Sequence, residues 1–237
     1  MSTYARKKIR DEIRRVHREI CAPVEERLAG FRRIWESGDD TALFTELAFC
    51  ILTPQSGARR CALALERLVE KGLLLGGGFD EICAELNIVR FKNNKTRYLL
   101  ESRERFTRRG SSLREFLGGC GTAPAMRAAL AETVKGIGYK EASHYLRNIG
   151  LGEDLAILDR HVLRVMERLG LLEDPSAGRG GCAAPARAGR KPVPLPVSAI
   201  RYCNLEDRLR RYAGRIGVPM GHLDFVLFYM ATGDIFK

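Results

Sequence analysis

The chain has 237 residues, enough to bury a sizeable core as one large domain or two modest ones. Its 40 Lys and Arg against 29 Asp and Glu leave a formal charge of +11, which points to a polyanion such as nucleic acid, although a merely solvated basic surface would look the same. The seven scattered cysteines, with no C-x-x-C pair, suggest neither a disulfide framework nor a zinc or iron–sulfur site, and most read as small core residues in a reducing compartment.

The first segment, "MSTYARKKIRDEIRRVHREI", is too charged for a signal peptide. No apolar run reaches the length that spans a bilayer, so the expectation is a soluble intracellular protein without a membrane partner. Next, Phe44, Leu47, Ala48, Ile51 and Leu52 fall at the spacing of one helix face. The glycine clusters "GLLLGGGF" and "FLGGCGTAP" read as connections between helices. Met126, Leu130 and Val134 define another helical face. Ala142, Tyr145, Leu146 and Ile149 repeat the pattern, followed by Val162, Val165, Met166 and Leu169. The stretch from Glu173 to Pro196 has no periodic apolar face and reads as a mobile insertion. Leu205, Leu209, Tyr212, Ala213 and Ile216 form a last clear face, and strand-like alternation is nearly absent. The fold class expected is all-α.

Between two of these helices stands "KGIGYKEASHYLRNIG", from Lys135 to Gly150. Gly136 and Gly138 can adopt positive φ and let a phosphate approach closely, and the amides at the next helix start can bind it. Lys140 lies in the first turn of that helix, where the backbone disfavours a cation. An ordinary lysine is a free amine in only about one of ~2,500 molecules at pH 7, so a setting that works against the ammonium favours a nucleophile. A surface lysine contacting a phosphate is the alternative. Nineteen residues on, Asp159 in "LAILDRHVLRV" precedes the next amphipathic helix. It can cap that helix and, held ionised, face a developing sugar cation.

"GIGYKEASHYLRNIG" followed by "AILDRHVLRV" resembles the helix-hairpin-helix DNA glycosylase superfamily, with its hairpin lysine and downstream aspartate. "ELAFCILTPQSGARRC" resembles the stretch carrying that superfamily's DNA-wedging polar residue. "IVRFKNNKTRYL" and "GHLDFVLFYMATGDIFK" are similar to the archaeal-type second class of 8-oxoguanine DNA glycosylases. The resemblance runs from about residue 40 to Lys237, apart from the Glu173–Pro196 stretch. The absence of a cysteine quartet separates the chain from the iron–sulfur branch.

The resemblance implies a bifunctional glycosylase and AP lyase acting, as a monomer without cofactor or metal, on double-stranded DNA containing oxidised guanine. Lys140 would form a Schiff base with the damaged nucleotide, and Asp159 would stabilise the transition state. Gln55 would fill the hole left by the flipped base, and Gly136, Gly138 and His161 would hold backbone phosphate. Phe91, Asp224, Phe228 and Lys237 would line the base pocket. Phe228 departs from the branch, which usually carries tryptophan there, and offers a smaller stacking face. His144 reads as structural. The terminal "ATGDIFK", where apolar Ile235 and Phe236 immediately precede Lys237, suggests a docked end. The architecture implied is two helical subdomains, residues 38–155 with the hairpin at 126–149, and residues 1–37 with 156–237, the insertion lying at 173–196. A glycosylase for another lesion, or a non-catalytic hairpin module binding duplex DNA, remains open at this point.

Overall fold

The computed structural model describes residues 3–108, 112–172 and 198–235. The insertion expected at 173–196, and Lys237 as a pocket residue, lie outside the described residues. Twelve α-helices are described: α1 (Thr3–Ser37), α2 (Asp40–Leu52), α3 (Ala58–Glu70), α4 (Leu73–Gly76), α5 (Phe79–Glu85), α6 (Lys92–Arg103), α7 (Leu113–Gly118), α8 (Ala123–Thr133), α9 (Tyr139–Asn148), α10 (Arg160–Leu169), α11 (Ala199–Ile216) and α12 (Met220–Thr232). A short 3₁₀ turn, Leu86–Ile88, and a π turn, Glu104–Arg108, complete them, and no strand occurs among the described residues. The protein is all-α. The first glycine cluster differs from its reading as a plain connection, because Leu73–Gly76 closes one helical turn that buries Leu74. Gly72 permits this with a left-handed φ of 68° just before the turn.

The chain forms two compact units, one comprising the residues up to Val24 with Ala156–Ile235, the other Glu25–Leu155. The N-terminal division falls at Val24 within α1, beside Pro23, rather than at residue 37. Glu25 to Ser37 belong with the larger unit, where Ile34 and Trp35 pack on its core and Arg114 donates to the Trp35 and Gly38 carbonyls at 2.8 Å each.

The larger unit is built around α2 and α9. Phe44, Leu47, Ala48, Ile51 and Leu52 are all buried, as are Ala142, Tyr145, Leu146 and Ile149. Each fully buried large apolar side chain contributes about 1.5–3 kcal/mol relative to exposure. A polar set is buried beside this core. The Arg127 guanidinium of α8 donates to Ser143 Oγ of α9 (3.3 Å) and lies 5.0 Å over the Tyr139 ring. Arg147 donates twice to Asn148 Oδ1 (3.3 and 3.0 Å) and stacks over Phe31. Asn148 Nδ2 in turn donates to Glu46 Oε2 of α2 at 2.9 Å.

The smaller unit combines the first turns of α1 with α10, α11 and α12. Ile9, Ile13, Val16 and Ile20 of α1 are buried, as are Val162, Val165, Met166 and Leu169 of α10 and Leu205, Leu209, Tyr212, Ala213 and Ile216 of α11. α10 ends at Gly170, whose left-handed φ of 75° closes the helix.

Burial raises the Glu46 carboxyl above its usual 4.5, against the opposing effects of the Asn148 hydrogen bond and the charges of Arg27 and Arg147. The folded chain therefore holds that proton more tightly than the unfolded chain, and stability is lost as pH rises from 4.5 through the raised value. Glu46→Gln keeps an acceptor for Asn148 and has no charge to desolvate. Its Tm should exceed that of the wild type at pH 7, with the difference shrinking as the pH is lowered past 4.5. A Tm below wild type at pH 7 would contradict this.

Candidate active site

Two helix starts carry the residues of greatest chemical interest. At the first, Val134 ends α8 and Gly136 turns the chain with φ 84°. A Cβ on Gly136 would sit 2.5 Å from Tyr98 Cδ2, so a side chain is excluded by both conformation and space. Gly138 differs from its sequence reading. Its φ of −103° and ψ of −171° are extended, and an added Cβ would meet nothing closer than Glu141 Oε2 at 3.5 Å. Sterics therefore do not require glycine at 138. Both glycines are exposed, while Ile137 between them is anchored in the core.

Gly138 is the N-cap of α9, and its N–H donates to Glu141 Oε2 at 3.3 Å, satisfying one donor of the helix start. Lys140 stands in this first turn with its side chain only 25% exposed and its Nζ 3.5 Å from Glu141 Oε1. The neighbouring hairpin lysine, Lys135, is far more open, with 67% of its side chain exposed and Nζ 3.0 Å from Glu101 Oε2. Glu141 thus serves the helix start and neighbours the Lys140 ammonium. It lies one residue beyond the lysine, and no motif in the sequence singles it out. His144, one turn after Lys140, is buried edge-on against Phe49, with ring centroids 5.8 Å apart.

The second start belongs to α10. Asp159 caps it, its Oδ1 accepting from the backbone N–H of His161 (2.8 Å) and Val162 (2.9 Å). The chain leading to it is held by α11. Tyr202 Oη donates to the Ala156 carbonyl (2.7 Å) and accepts from Leu158 N–H (3.2 Å), while Glu206 Oε1 accepts from Ala156 N–H (2.6 Å). Tyr202 and Glu206 therefore fix the approach to Asp159. No local pattern points to them, since they lie more than forty residues away. His161 follows in the first turn and meets the Phe228 ring edge-on at 6.1 Å. Asp224 lies one turn before Phe228 on α12, at 7% exposure, so the smaller unit gathers Asp159, His161, Asp224 and Phe228 from α10 and α12.

In the larger unit, Gln55 and Phe91 occupy the two left-handed non-glycine positions among the described residues, with φ of 56° and 59°. Such backbone persists only where the surroundings impose it, and it concentrates at functional sites. Here Lys95 braces the turn of Gln55. The Lys95 Nζ donates to the Leu52 carbonyl (2.6 Å), the Pro54 carbonyl (2.8 Å) and Ser56 Oγ (2.9 Å). Ser56 Oγ also accepts from Arg90 N–H at 3.1 Å, tying the turn of Gln55 to that of Phe91. Both candidate side chains are exposed, Phe91 at 52%, with the Arg90 guanidinium 5.4 Å over its ring. Phe91 is thus no core residue. Burial pushes the Lys95 amine below its usual 10.5, with Arg90 acting the same way and Glu141 opposing. Burial likewise raises the Cys61 thiol, against the charges of Lys95 and Lys140. The Gln55 turn and the hairpin are therefore electrostatic neighbours within one unit.

A turn with two exposed glycines between α8 and α9 makes this a helix-hairpin-helix protein. The family model for 8-oxoguanine DNA glycosylase matches residues 24–179. A relative from Fusobacterium nucleatum, named 8-oxoguanine DNA glycosylase/AP lyase, is 36% identical over 228 residues, covering 96% of this chain and 97% of that protein. The crystal structure of the Thermotoga maritima 8-oxoguanine DNA glycosylase matches with a TM-score of 0.81 at 31% identity, covering 98% of this chain and all of the other. The Methanocaldococcus jannaschii 8-oxoguanine glycosylase/lyase, crystallised with a 15mer DNA containing 8-oxoguanine, matches with a TM-score of 0.80 at 25% identity, covering 97% of this chain and 100% of that one. The chain belongs to the 8-oxoguanine DNA glycosylase family.

The two hairpin glycines should separate on mutation. Gly136→Ala should lose about 1–3 kcal/mol of stability in urea unfolding, from strain and the Tyr98 clash. Gly138→Ala should unfold within about 0.5 kcal/mol of wild type yet bind duplex DNA more weakly, because a methyl group obstructs the exposed turn. Equal stability losses for both would contradict the geometry. For the second turn, Lys95→Met keeps the buried stem and removes the donors. It should cost about 1–3 kcal/mol and accelerate amide exchange across residues 53–57; unchanged exchange there would rule out the tethering.

Proposed function

We propose that this protein excises 8-oxoguanine from double-stranded DNA and cuts the strand at the resulting abasic site, with Lys140 as the nucleophile. The observation that carries the reading is the position of Lys140: partly shielded, in the first turn of α9, directly behind an exposed glycine turn suited to a backbone phosphate. Family membership supports the reaction class, and the formal charge of +11 supports a duplex DNA partner. On this reading the working unit is a monomer inside the cell. No helix among the described residues is long and apolar enough to cross a membrane.

The chemistry assigned to the residues is as follows. The Lys140 amine, in its neutral form, attacks C1′ of the flipped nucleotide, and the glycosidic bond breaks with its electron pair leaving on the base, which takes up a proton. Loss of the amine proton and opening of the sugar ring give the Schiff base. Abstraction of a C2′ proton then expels the 3′ phosphate by β-elimination. Asp159 faces the cationic character at C1′. Its cap bonds hold it in place, so its carboxylate needs no reorganisation as charge develops. Gln55 fills the vacated stack, Gly136, Gly138 and His161 hold phosphate, and Phe91, Asp224 and Phe228 recognise the base. Extruding the nucleotide costs a few kcal/mol, least for a damaged pair.

Incubation with an 8-oxoguanine duplex and borohydride tests the assignment. Lys140→Gln should abolish covalent trapping while duplex binding persists. Asp159→Asn should melt near wild type, since asparagine caps a helix about as well as aspartate, yet lose about 10²-fold or more in excision. Undiminished trapping by Lys140→Gln would exclude Lys140 as the nucleophile. Near-wild-type excision by Asp159→Asn would leave Asp159 as a cap alone.

A further inference from the structure

Within the smaller unit, α1 and α12 bring together three side chains that the reaction does not use. His17 and Cys21 are four residues apart on α1, so they share a face. His222 sits in the first turn of α12. One ligand atom from each lies within 4.8 Å of the other two. His17 Nε2 and His222 Nδ1 are 3.1 Å apart, and the rings meet edge-on with centroids 5.2 Å apart. His222 is buried, while His17 and Cys21 are half-buried, which leaves the cluster a path to solvent.

Two imidazoles and a thiolate are a donor set suited to a borderline-soft transition metal. With Zn–N of about 2.0–2.1 Å and Zn–S of about 2.3 Å, tetrahedral ligands stand roughly 3.3 Å apart for N···N and 3.6 Å for N···S. The observed nitrogen pair is within a few tenths of an ångström of that spacing. The sulfur needs a shift of about 1.2 Å at most, which side-chain torsions can supply. A hydrogen bond between the two imidazoles would account for the short N···N distance, but it gives no reason for a thiol to join them.

We propose that His17, Cys21 and His222 form a binding site for a divalent transition metal, Zn²⁺ above all, with a fourth position open to water. On coordination Cys21 releases its thiol proton to solvent, both imidazoles bind as neutral ligands, and two nitrogen–metal bonds replace the His17–His222 hydrogen bond. The metal links α1 to α12 near the start of the helix that carries Asp224 and Phe228. Its role is to hold that helix in place, separate from the chemistry at Lys140. The proposal does not depend on the assignment of the nucleophile.

The test is a titration of the chelator-treated full chain with Co²⁺, read by absorption. The wild type should saturate at one equivalent, with a thiolate-to-cobalt charge-transfer band and ligand-field bands of tetrahedral intensity. Zn²⁺ should displace the colour and raise Tm. Cys21→Ser should lose the charge-transfer band and the Zn²⁺-dependent rise in Tm, whereas Cys203→Ser should keep both. His17→Ala, at a half-buried position and checked for fold by circular dichroism, should lose one-equivalent binding. The absence of saturable binding in the folded wild type would overturn the proposal and leave a hydrogen-bonded histidine pair. So would a charge-transfer band that survives in Cys21→Ser.

Discussion

The starts of α9 and α10 leave backbone donors that the helices themselves cannot satisfy, and Lys140 and Asp159 both stand at these starts. A helix start exposes N–H groups that must be satisfied by side chains, water or ligand. At α10 the Asp159 carboxylate takes two of them, which fixes its position to hydrogen-bond precision. At α9 the Glu141 carboxylate takes the Gly138 N–H from within the helix, and both turn glycines are exposed. A carboxylate serves both starts, from the cap position at α10 and from the third helical residue at α9.

Each start is supported by buried groups. The approach to Asp159 is held by Tyr202 and Glu206 of α11. α9 is held against α8 by Arg127, and its last turn is joined to α2 through Asn148 and Glu46. These polar contacts stand beside a core of closely packed leucine, isoleucine and phenylalanine, where loss of one partner leaves the other desolvated. The turn carrying Gln55 follows the same logic, because its left-handed backbone is held by three donations from one buried lysine.

Much of this was legible before the structure. The 3.6-residue periodicity marked the buried faces of α2, α9, α10 and α11, since an amphipathic helix writes its core into consecutive residues. Asp159 as a cap was equally plain, because capping acts over three residues. What escaped depends on residues distant in sequence or on backbone conformation. Arg127, Arg147 and Lys95 look like surface cations until their partners fold around them. Gly138 resembled a positive-φ glycine and is extended, since composition cannot distinguish a glycine needed for conformation from one that keeps a surface open. His17 and Cys21 acquire significance only with His222, 205 residues beyond His17.

In the proposed reaction one particular amine, shielded at a helix start, forms the covalent bond to the sugar. The most direct measurement is peptide mapping by tandem mass spectrometry of the wild-type chain, reduced with borohydride on an 8-oxoguanine duplex and then digested. The sugar remnant should appear on Lys140 alone, with Lys135 and Lys95 unmodified. An adduct on either of those lysines, or on another residue in place of Lys140, would contradict it.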